Sequence, residues 1–495
     1  MLADMSNFFS AHFSHSTPSV GPGSTTAQPL AWLGPLRTRF KPAQLLGMFQ
    51  RLLCPSALTP ELTQGPKRFY DRIFSLRVIL WYLIFQRVNP DPTLQEVVTD
   101  LHQGGADALS EPGRPPLSTR ILSWATTAYS SARQRFPRPL LAQALAAQGR
   151  QILGLAQGWE WHRLRPQLLD GSTVRLRPLG DLPQHFPAPG RSQKTTPKRY
   201  WCFMRVVVSF CVSSAVALGC AVGAVSVSEQ ALAAQIILGS GAAILWVGDR
   251  NFGVFRIVQV ARQVGASVLV RLTQSRARKL AGKGLRAGRV YLVQWCPSRA
   301  DQQQPGCSSA PVPGRLIVVR VHRKGFRAQV LYLFTDLLDE QKYPVQELVE
   351  LYGARWHVEL NLRYLKTQMG LEQLSCKSAD MAQKEWYAGL LAYNLIRAVM
   401  LCAAVQAGIR PLALSFSAAK RQVERWLDNY GADRRELLES WEQLLAGVAV
   451  CRQPKRKKAR PAEPRAKRPV RESFPPLWGS RAKARRQIKK YASKT

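Results

Sequence analysis

The stretch that decides the fold is Leu351–Leu374, LYGARWHVELNLRYLKTQMGLEQL. It has no proline and its apolar residues recur at helical spacing, which predicts one helix of about six turns with Gly353 in the first turn. The apolar residues expected to form its buried stripe are Leu351, Val358, Leu362, Leu365 and Met369. The adjoining polar face carries Tyr352, Arg355, Glu359 and Lys366. One carboxylate therefore lies beside the core among a phenol, a guanidinium and an ammonium, although an ordinary ion-paired surface helix has the same pattern.

The chain is strongly basic for its 495 residues. It has 70 Lys and Arg against 31 Asp and Glu, a net charge of +39. Such a surface attracts a polyanion, so DNA or RNA is the expected partner and an anionic membrane the lesser alternative. The nine Cys are scattered without a CxxC pair, which argues against a zinc site and a secreted disulfide framework and fits a reducing cytoplasm.

One apolar segment, Val206–Val227, has the length of a membrane span. It is rich in Val, contains several Ser and carries two Gly. We interpret it as two buried strands joined by a turn near Ser213–Ser214, and the N-terminus lacks the pattern of a signal peptide. No membrane partner is expected.

Composition divides the chain into four parts. Residues 1–35 are rich in Ser, Pro, Gly and Thr, which predicts disorder. Residues 36–160 are predicted to be helical, and two short helices within 91–125, each opened by a Thr or Ser cap, fit either a helix-turn-helix-like DNA-binding unit or a plain helical bundle. Residues 161–450 form the predicted catalytic domain. From 452 onward the 451–495 tail has 17 Lys and Arg against two Glu, which predicts a disordered segment serving as a non-specific DNA clamp or as a solubility or localisation tail.

The catalytic domain begins with alternating strands and helices, typical of a mixed α/β fold. The predicted strands are Gln167–Leu176, two within 200–227, Ala242–Val247 and Ser267–Leu272, with helices at Ser228–Ile237 and 253–264. Asp170 and Asp249 each follow a short apolar strand, at the carboxyl edge where α/β sheets usually place their chemistry. Residues 274–333 predict antiparallel strands, a β insertion before the Glu359 helix, and helices over 381–404 and 416–446 close the domain.

Asp170, Asp249 and Glu359 are the acids that stand out by position. Two Mg²⁺ ions about 4 Å apart can activate a nucleophile and neutralise charge during phosphodiester hydrolysis, and they prefer carboxylate oxygens. Without a cation, three such carboxylates would repel one another and raise their pKa values. A strand Asp, a later strand Asp and a helix Glu have the order of an RNase H-like fold. Acids inside a basic protein are expected of a metal-dependent nuclease that acts on DNA, whereas each Asp alone is also typical of a turn.

The spacing Tyr352-x2-Arg355-x3-Glu359-x6-Lys366 resembles the YREK signature of the insertion-sequence-4 family of bacterial DDE transposases. The stretch DGSTVRL from Asp170 and the stretch VGDRNF around Asp249 resemble the family's two Asp motifs. The β insertion is also similar to the family's. The resemblance spans about 165–405, roughly half of the chain.

The resemblance implies a transposase that binds the terminal inverted repeats of its element, cuts the DNA ends and joins the freed 3′-OH to target DNA. The implied ligands of two Mg²⁺ ions, for which Mn²⁺ can substitute, are Asp170, Asp249 and Glu359. The implied DNA contacts are Tyr352, Arg355 and Lys366. Arg250, directly after the second Asp, is predicted to be a DNA phosphate contact, with a structural contact as the alternative. A homodimer on DNA, in a bacterial cytoplasm and associated with the nucleoid, is implied too. In relatives an aromatic of the insertion accepts a flipped base, for which Trp295 is a candidate against the alternative of core packing.

Four other functions remain to be weighed. An inactive or domesticated relative would bind DNA without moving it, and a DDE nuclease would cut without strand transfer. A basic RNA-binding or ribosomal protein would explain the charge but not the three ordered acids. A membrane transporter rests on residues 206–227 alone.

Overall fold

The structure, a computed structural model, describes residues 36–53, 72–89, 93–111, 113–187, 201–304, 306–321, 329–428 and 434–453, with five further residues between 480 and 486. The predictions of disorder for residues 1–35 and for nearly all of the basic tail lie outside the described residues.

Helices and strands alternate in the middle of the described residues, and helices occupy both sides of that part. The helices are α1 (Pro42–Leu53), α2 (Leu76–Val88), α3 (Leu94–His102), α4 (Leu117–Arg120), α5 (Thr127–Arg135), α6 (Arg138–Leu153), α7 (Leu182–His185), α8 (Glu229–Leu238), α9 (Phe255–Gln263), α10 (Gln274–Ala281), α11 (Arg299–Gln302), α12 (Val345–Gly353), α13 (Trp356–Arg363), α14 (Ala379–Gln406), α15 (Phe416–Asp428) and α16 (Arg434–Val450). The strands are β1 (Arg165–Leu176), β2 (Cys202–Cys211), β3 (Ala217–Ala224), β4 (Ile244–Gly248), β5 (Ser267–Leu272), β6 (Arg289–Trp295), β7 (Val312–Val321), β8 (Gln329–Thr335) and β9 (Gln373–Leu374).

One mixed sheet organises the protein, with the strand order β3-β2-β1-β4-β5-β8-β7-β6 and with β9 paired to β1. Strand β2 is antiparallel to both β1 and β3, whereas β4 runs parallel to both β1 and β5. The β3-β2-β1-β4-β5 half is an RNase H-like core. The antiparallel strands predicted within 274–333 also form, and β8 pairs with β5, so they continue the central sheet instead of building a sheet of their own.

Apolar side chains on both faces of the sheet create two hydrophobic layers. In β4, Leu245 and Val247 belong to one core cluster and Ile244 and Trp246 to the other, as expected where successive side chains point to opposite faces. Helices α8 and α9 cover the Trp246 face. The larger cluster lies under α14 and the N-terminal and C-terminal helices, so the predicted helical region before β1 shares a core with the catalytic domain.

The segment that imitates a membrane span forms β2 and β3, as predicted, with the turn residues between them. Among the described residues, α14 is the helix long and apolar enough to cross a membrane, but 94% of its most apolar window is buried inside the protein. Here α14 is the central helix of the larger core. Its length and composition are therefore weak evidence for a membrane segment.

The two short helices predicted within 91–125 differ in outcome. Thr93 caps α3, its side chain accepting the Glu96 N–H, as the sequence predicts. Helix α4 is a single turn that follows Pro116, and Ser118 instead donates its N–H and its hydroxyl to Asp107. A Ser cap for this helix was the wrong prediction. A single turn is too short to serve as a recognition helix, and DNA binding by the rest of this helical region stays a prediction.

Candidate active site

The prediction of one continuous helix over Leu351–Leu374 is wrong. Helix α12 runs from Val345 to Gly353, so Gly353 is its last residue and not a first-turn residue. Ala354 and Arg355 then form a turn before α13 starts. In this turn the backbone N–H groups bond to the carbonyl oxygen three residues back. The Arg355 N–H donates to Tyr352 O at 3.1 Å, and the His357 N–H donates to Ala354 O at 2.9 Å. A π-helical turn, Tyr364–Gln368, then follows α13. Glycine favours such a break because it stabilises helix interiors poorly.

The predicted buried stripe of this stretch is confirmed. Each of its members is at most 5% exposed: Leu351, Val358, Leu362, Leu365 and Met369. A tight turn of three-residue bonds nearly preserves the helical phase, so the apolar face continues across the break. The stretch therefore anchors the polar residues beside it against the core.

Asp170 and Asp249 are neighbours because of strand register. Parallel pairing of β1 with β4 runs as far as Leu169 opposite Gly248; Asp170 is the next residue of β1, and Asp249 directly follows the end of β4. Adjacent strands lie about 4.8 Å apart. Strand β1 continues to Leu176, so Asp170 lies within the strand and not at its end, but β4 stops and leaves the side of Asp170 open.

Glu359 reaches the same place from the helical side. Asp170 and Glu359 line one cleft of about 360 Å³, whose other lining residues are Ser172, Leu362, Arg363, Lys366, Thr367 and Glu372. Glu359 lies in the first turn of α13, and its Oε1 accepts a hydrogen bond from Arg355 Nη2 at 2.9 Å. The structure thus brings the three predicted acids to one region, with Glu359 directed at an arginine.

The electrostatics of Asp170 reflect this crowding. Burial raises the pKa of Asp170 to about 7, and the charges of Asp249 and Glu359 act in the same direction. The Gly171 N–H, which donates to Asp170 Oδ1 at 2.8 Å, and the Arg355 charge oppose that rise in pKa. Burial is therefore the main reason that the neutral form of Asp170 is favoured, and the two neighbouring acids add to it.

A divalent cation fits the donor chemistry of this region. Carboxylate oxygens are the ligands that hard divalent cations prefer, and a cation would offset the crowding of negative charge at Asp170. Within the described ranges, no three His, Cys, Asp or Glu residues form a compact metal-binding group. Glu359 Oε1 is paired with Arg355 Nη2, so this carboxylate is shared between the arginine and the cleft that Asp170 lines.

The other predicted residues take different environments. Tyr352 is 4% exposed, and burial raises its pKa to about 12, so the phenol is a neutral donor. Lys366 lines the cleft, where burial lowers its pKa and Glu372 opposes that effect. Arg250 is exposed. Trp295 is 5% exposed, and its ring centroid lies 4.7 Å from that of Phe334. Of the two alternatives for this residue, base binding and core packing, the structure therefore favours core packing.

Two pairs of polar residues at the site were missed by sequence reasoning. Arg175 Nη2 lies 2.6 Å from Oε1 of Glu372, which lines the cleft. Asn251 Nδ2 donates to Glu229 Oε2 at 2.6 Å, behind the two Asp residues. Both pairs join residues far apart in the chain, and neither has a local sequence signal.

Comparison with known proteins gives a family match, a sequence relative and a solved structure of low similarity. Residues 161–395 match the family described as Transposase DDE domain. The transposase InsG for insertion sequence element IS4 of Escherichia coli strain K12 is 28% identical over 316 residues, which cover 59% of this chain and 68% of that protein. The structure of the piggyBac transposase synaptic complex with hairpin DNA is similar at a TM-score of 0.38 and 10% identity, over 83% of this chain and 87% of that one.

Proposed function

We propose that this chain, which belongs to the insertion-sequence-4 family of DDE transposases, binds the terminal inverted repeats of its element, cuts the element ends and joins the freed 3′-OH groups to target DNA. The chain is an enzyme that acts on DNA. The observation that carries the detailed proposal is the adjacency of Asp170 and Asp249 on neighbouring strands, with Glu359 on the cleft that Asp170 lines.

We assign Asp170, Asp249 and Glu359 as ligands of two Mg²⁺ ions, with Mn²⁺ as a substitute. When bound, these ions activate a water or a 3′-OH as nucleophile and neutralise charge on the phosphoryl group. The protein contributes the placement of the carboxylates. Asp170 lies in β1 and Asp249 directly follows β4, which pairs with β1, and Glu359 is brought up by α13, which packs beside β1.

Tyr352, Arg355, Lys366 and Arg250 are the proposed phosphate contacts. Arg355 has a planar fork that can grip a phosphate with two hydrogen bonds, and its Nε has no hydrogen-bond partner in the described part of the chain. Lys366 adds a point charge on the wall of the cleft. A phosphate that engages Arg355 would compete with Glu359 for the guanidinium and so release the carboxylate toward the two Asp residues.

The remaining parts of the chain receive proposals of their own. Residues 161–450 form the catalytic domain, with 274–333 as its β extension, and the helical region 36–160 supports it. The tail 451–495 is a non-specific DNA clamp, for which its charge is the support. Joining two element ends requires two active sites, so the DNA-bound form is a homodimer in the bacterial cytoplasm, on nucleoid DNA.

The test compares wild type with Glu359→Ala on a DNA fragment that carries the element's own ends, with Mg²⁺ present or chelated and a target plasmid included. Glu436→Ala, at an exposed position of α16, is the matched control. We expect wild type and the control to cut at the element boundary and to join the ends to the plasmid. Glu359→Ala and the chelated reactions should bind DNA without cutting it.

The other outcomes separate the alternatives. Cleavage without joined product would identify a DDE nuclease. DNA binding without cleavage by any variant would identify an inactive or domesticated relative. Undiminished cleavage by Glu359→Ala would remove Glu359 from the site.

A further inference from the structure

We infer that Glu229 is a positioning residue that fixes the two catalytic Asp residues relative to each other, acting through Asn251 and Gly171. This inference rests on the proposed function, because it assumes that Asp170 and Asp249 hold the metal ions. It assigns a role to a carboxylate at the start of α8, which neither Asp motif contains.

The first support is the hydrogen bonding of Asn251. Its backbone N–H donates to Asp249 Oδ1 at 2.8 Å, and its side-chain Nδ2 donates to Glu229 Oε2 at 2.6 Å. Gln230 Nε2 donates to both Asn251 Oδ1, at 2.8 Å, and Asn251 O, at 2.9 Å. The residue whose backbone orients the Asp249 carboxylate is therefore held on both its side chain and its carbonyl by the first two residues of α8.

The second support is the contact between Glu229 and Gly171. A Cβ at position 171 would lie 2.5 Å from Glu229 Cδ and 2.8 Å from its Oε1, which is too close for any side chain while Glu229 keeps this position. The Gly171 N–H donates to Asp170 Oδ1 at 2.8 Å, as the Asn251 N–H does to Asp249. One carboxylate thus touches both of the residues whose backbone orients a catalytic Asp.

Glu229 is itself held by a rigid element. Ser228 caps α8, its hydroxyl accepting the Ala231 N–H at 3.1 Å, which places Glu229 at the first helical position. A carboxylate is favoured there by the helix dipole. Helix α8 also contributes Leu232, Ala233 and Ile237 to the core layer behind the sheet. Through its contacts with Asn251 and Gly171, Glu229 therefore links the positions of both Asp residues to a helix that is packed into the core.

This arrangement predicts an effect on metal affinity more than on folding. Residues that orient metal ligands usually change metal affinity by about 10- to 100-fold when they are altered. A residue that only stabilised the fold would lower the melting temperature without changing the affinity of the folded protein for metal. Mn²⁺ binding to the folded chain therefore separates the two roles.

The variants use the donor and acceptor pattern of the pair. Glu229→Gln keeps an acceptor for Asn251 Nδ2, Glu229→Ala removes it, and Asn251→Asp places two carboxylates against each other. The double variant Glu229→Gln with Asn251→Asp restores the hydrogen bond with the roles exchanged, because the new amide at position 229 donates and the new carboxylate at position 251 accepts. Gln235→Ala, at an exposed position of the same helix, is the matched control.

The experiment measures free Mn²⁺ by electron paramagnetic resonance during titration of the full chain, together with melting temperature and cleavage of element-end DNA. We expect Glu229→Ala to weaken Mn²⁺ binding by about tenfold or more and Glu229→Gln by less. Asn251→Asp should weaken it too, and the double variant should recover most of that loss. Equal Mn²⁺ affinity in all variants, or no recovery in the double variant, would overturn the inference.

Wild type serves to separate this failure from that of the proposed function. If wild type binds Mn²⁺ and cuts DNA while every variant does the same, only the positioning role is overturned. If wild type neither binds Mn²⁺ nor cuts, the metal site is overturned and the positioning role with it.

Discussion

Arg355, directly before α13, forms an ion pair with Glu359 in the first turn of that helix, with Arg355 Nη2 2.9 Å from Glu359 Oε1. The arginine side chain is 9% exposed and the glutamate side chain 36% exposed, so the guanidinium is fixed while the carboxylate borders the cleft. The guanidinium also stacks over the Trp356 ring at 4.6 Å. Arg355 is therefore held ready for an anion, and Glu359 occupies part of its hydrogen-bonding capacity.

Arg355→Lys should keep the charge and lose the planar fork. We expect cleavage of element-end DNA to fall by about 10- to 100-fold, because one charge-assisted hydrogen bond is worth about 1.5–3 kcal/mol. Single-turnover cleavage, with DNA affinity measured in parallel, checks this expectation. Arg421→Lys, exposed on α15, is the control, and a wild-type cleavage rate in Arg355→Lys would contradict the assigned role.

Glu372→Gln should strengthen DNA binding. Glu372 lines the cleft beside Lys366 and pairs with Arg175 at 2.6 Å, and its side chain is 50% exposed. An exposed pair contributes little to folding, about 0–1 kcal/mol, but the substitution removes a negative charge from the path of the phosphates and frees Arg175. We expect roughly two- to fivefold tighter binding in low salt, an effect that high salt should erase.

Gel shifts at several salt concentrations measure this effect. Glu439→Gln, exposed on α16, which contributes no lining residue to the cleft, removes the same charge and should leave the affinity near that of wild type. An equal gain in the two variants would mean that net charge alone is responsible and that Glu372 has no special position.

Much of the core was predictable from sequence because burial on both faces of a sheet leaves short apolar runs. Strand β5 forms over the predicted Ser267–Leu272, and the imitation of a membrane span resolves into β2 and β3. The Asp motifs lie next to such runs, so their approximate places followed. The pairing of the strands could not be predicted from the sequence, because β8 pairs with β5 across more than fifty residues and no local pattern indicates that pairing.

The break inside the Glu359 stretch shows a different limit. Helical spacing of apolar residues persists through a turn of three-residue hydrogen bonds, so the pattern over Leu351–Leu374 cannot distinguish one helix from two. The π-helical turn that carries Lys366 is equally invisible, because all of its residues are compatible with an α-helix. The contact of Glu229 with Gly171 and Asn251 arises only when three separate elements come together.

Arg315→Met should destabilise the fold just before the Glu359 helix. Arg315 is 1% exposed on β7, with Nε donating to Leu337 O at 2.6 Å and Nη2 donating to Tyr343 O at 2.9 Å. Removing the guanidinium leaves two carbonyls without donors, at roughly 1–3 kcal/mol each. Urea unfolding measures the loss, with the exposed Arg320→Met on the same strand as control. Equal stability of the two variants would contradict the bracing role of Arg315.

Glu385→Ala should loosen the N-terminal helices from the catalytic core. Glu385 on α14 is 6% exposed and pairs with Arg87 of α2 at 3.0 Å and Arg133 of α5 at 3.3 Å. Removing one member of a buried charge cluster usually costs about 3–5 kcal/mol, because the partner charges stay buried without compensation. Glu385→Gln should cost less, since its amide oxygen can still accept from one arginine.

Chemical unfolding followed by tryptophan fluorescence and by circular dichroism checks this expectation, with the exposed Glu439→Ala on α16 as control. The N-terminal helices share a core with α14. The unfolding transitions seen by fluorescence and by circular dichroism should therefore shift together to lower denaturant concentration in Glu385→Ala. Two separated transitions in wild type would show that residues 36–160 fold independently. A loss of stability no larger than that of Glu439→Ala would show that the cluster does not hold these helices to α14.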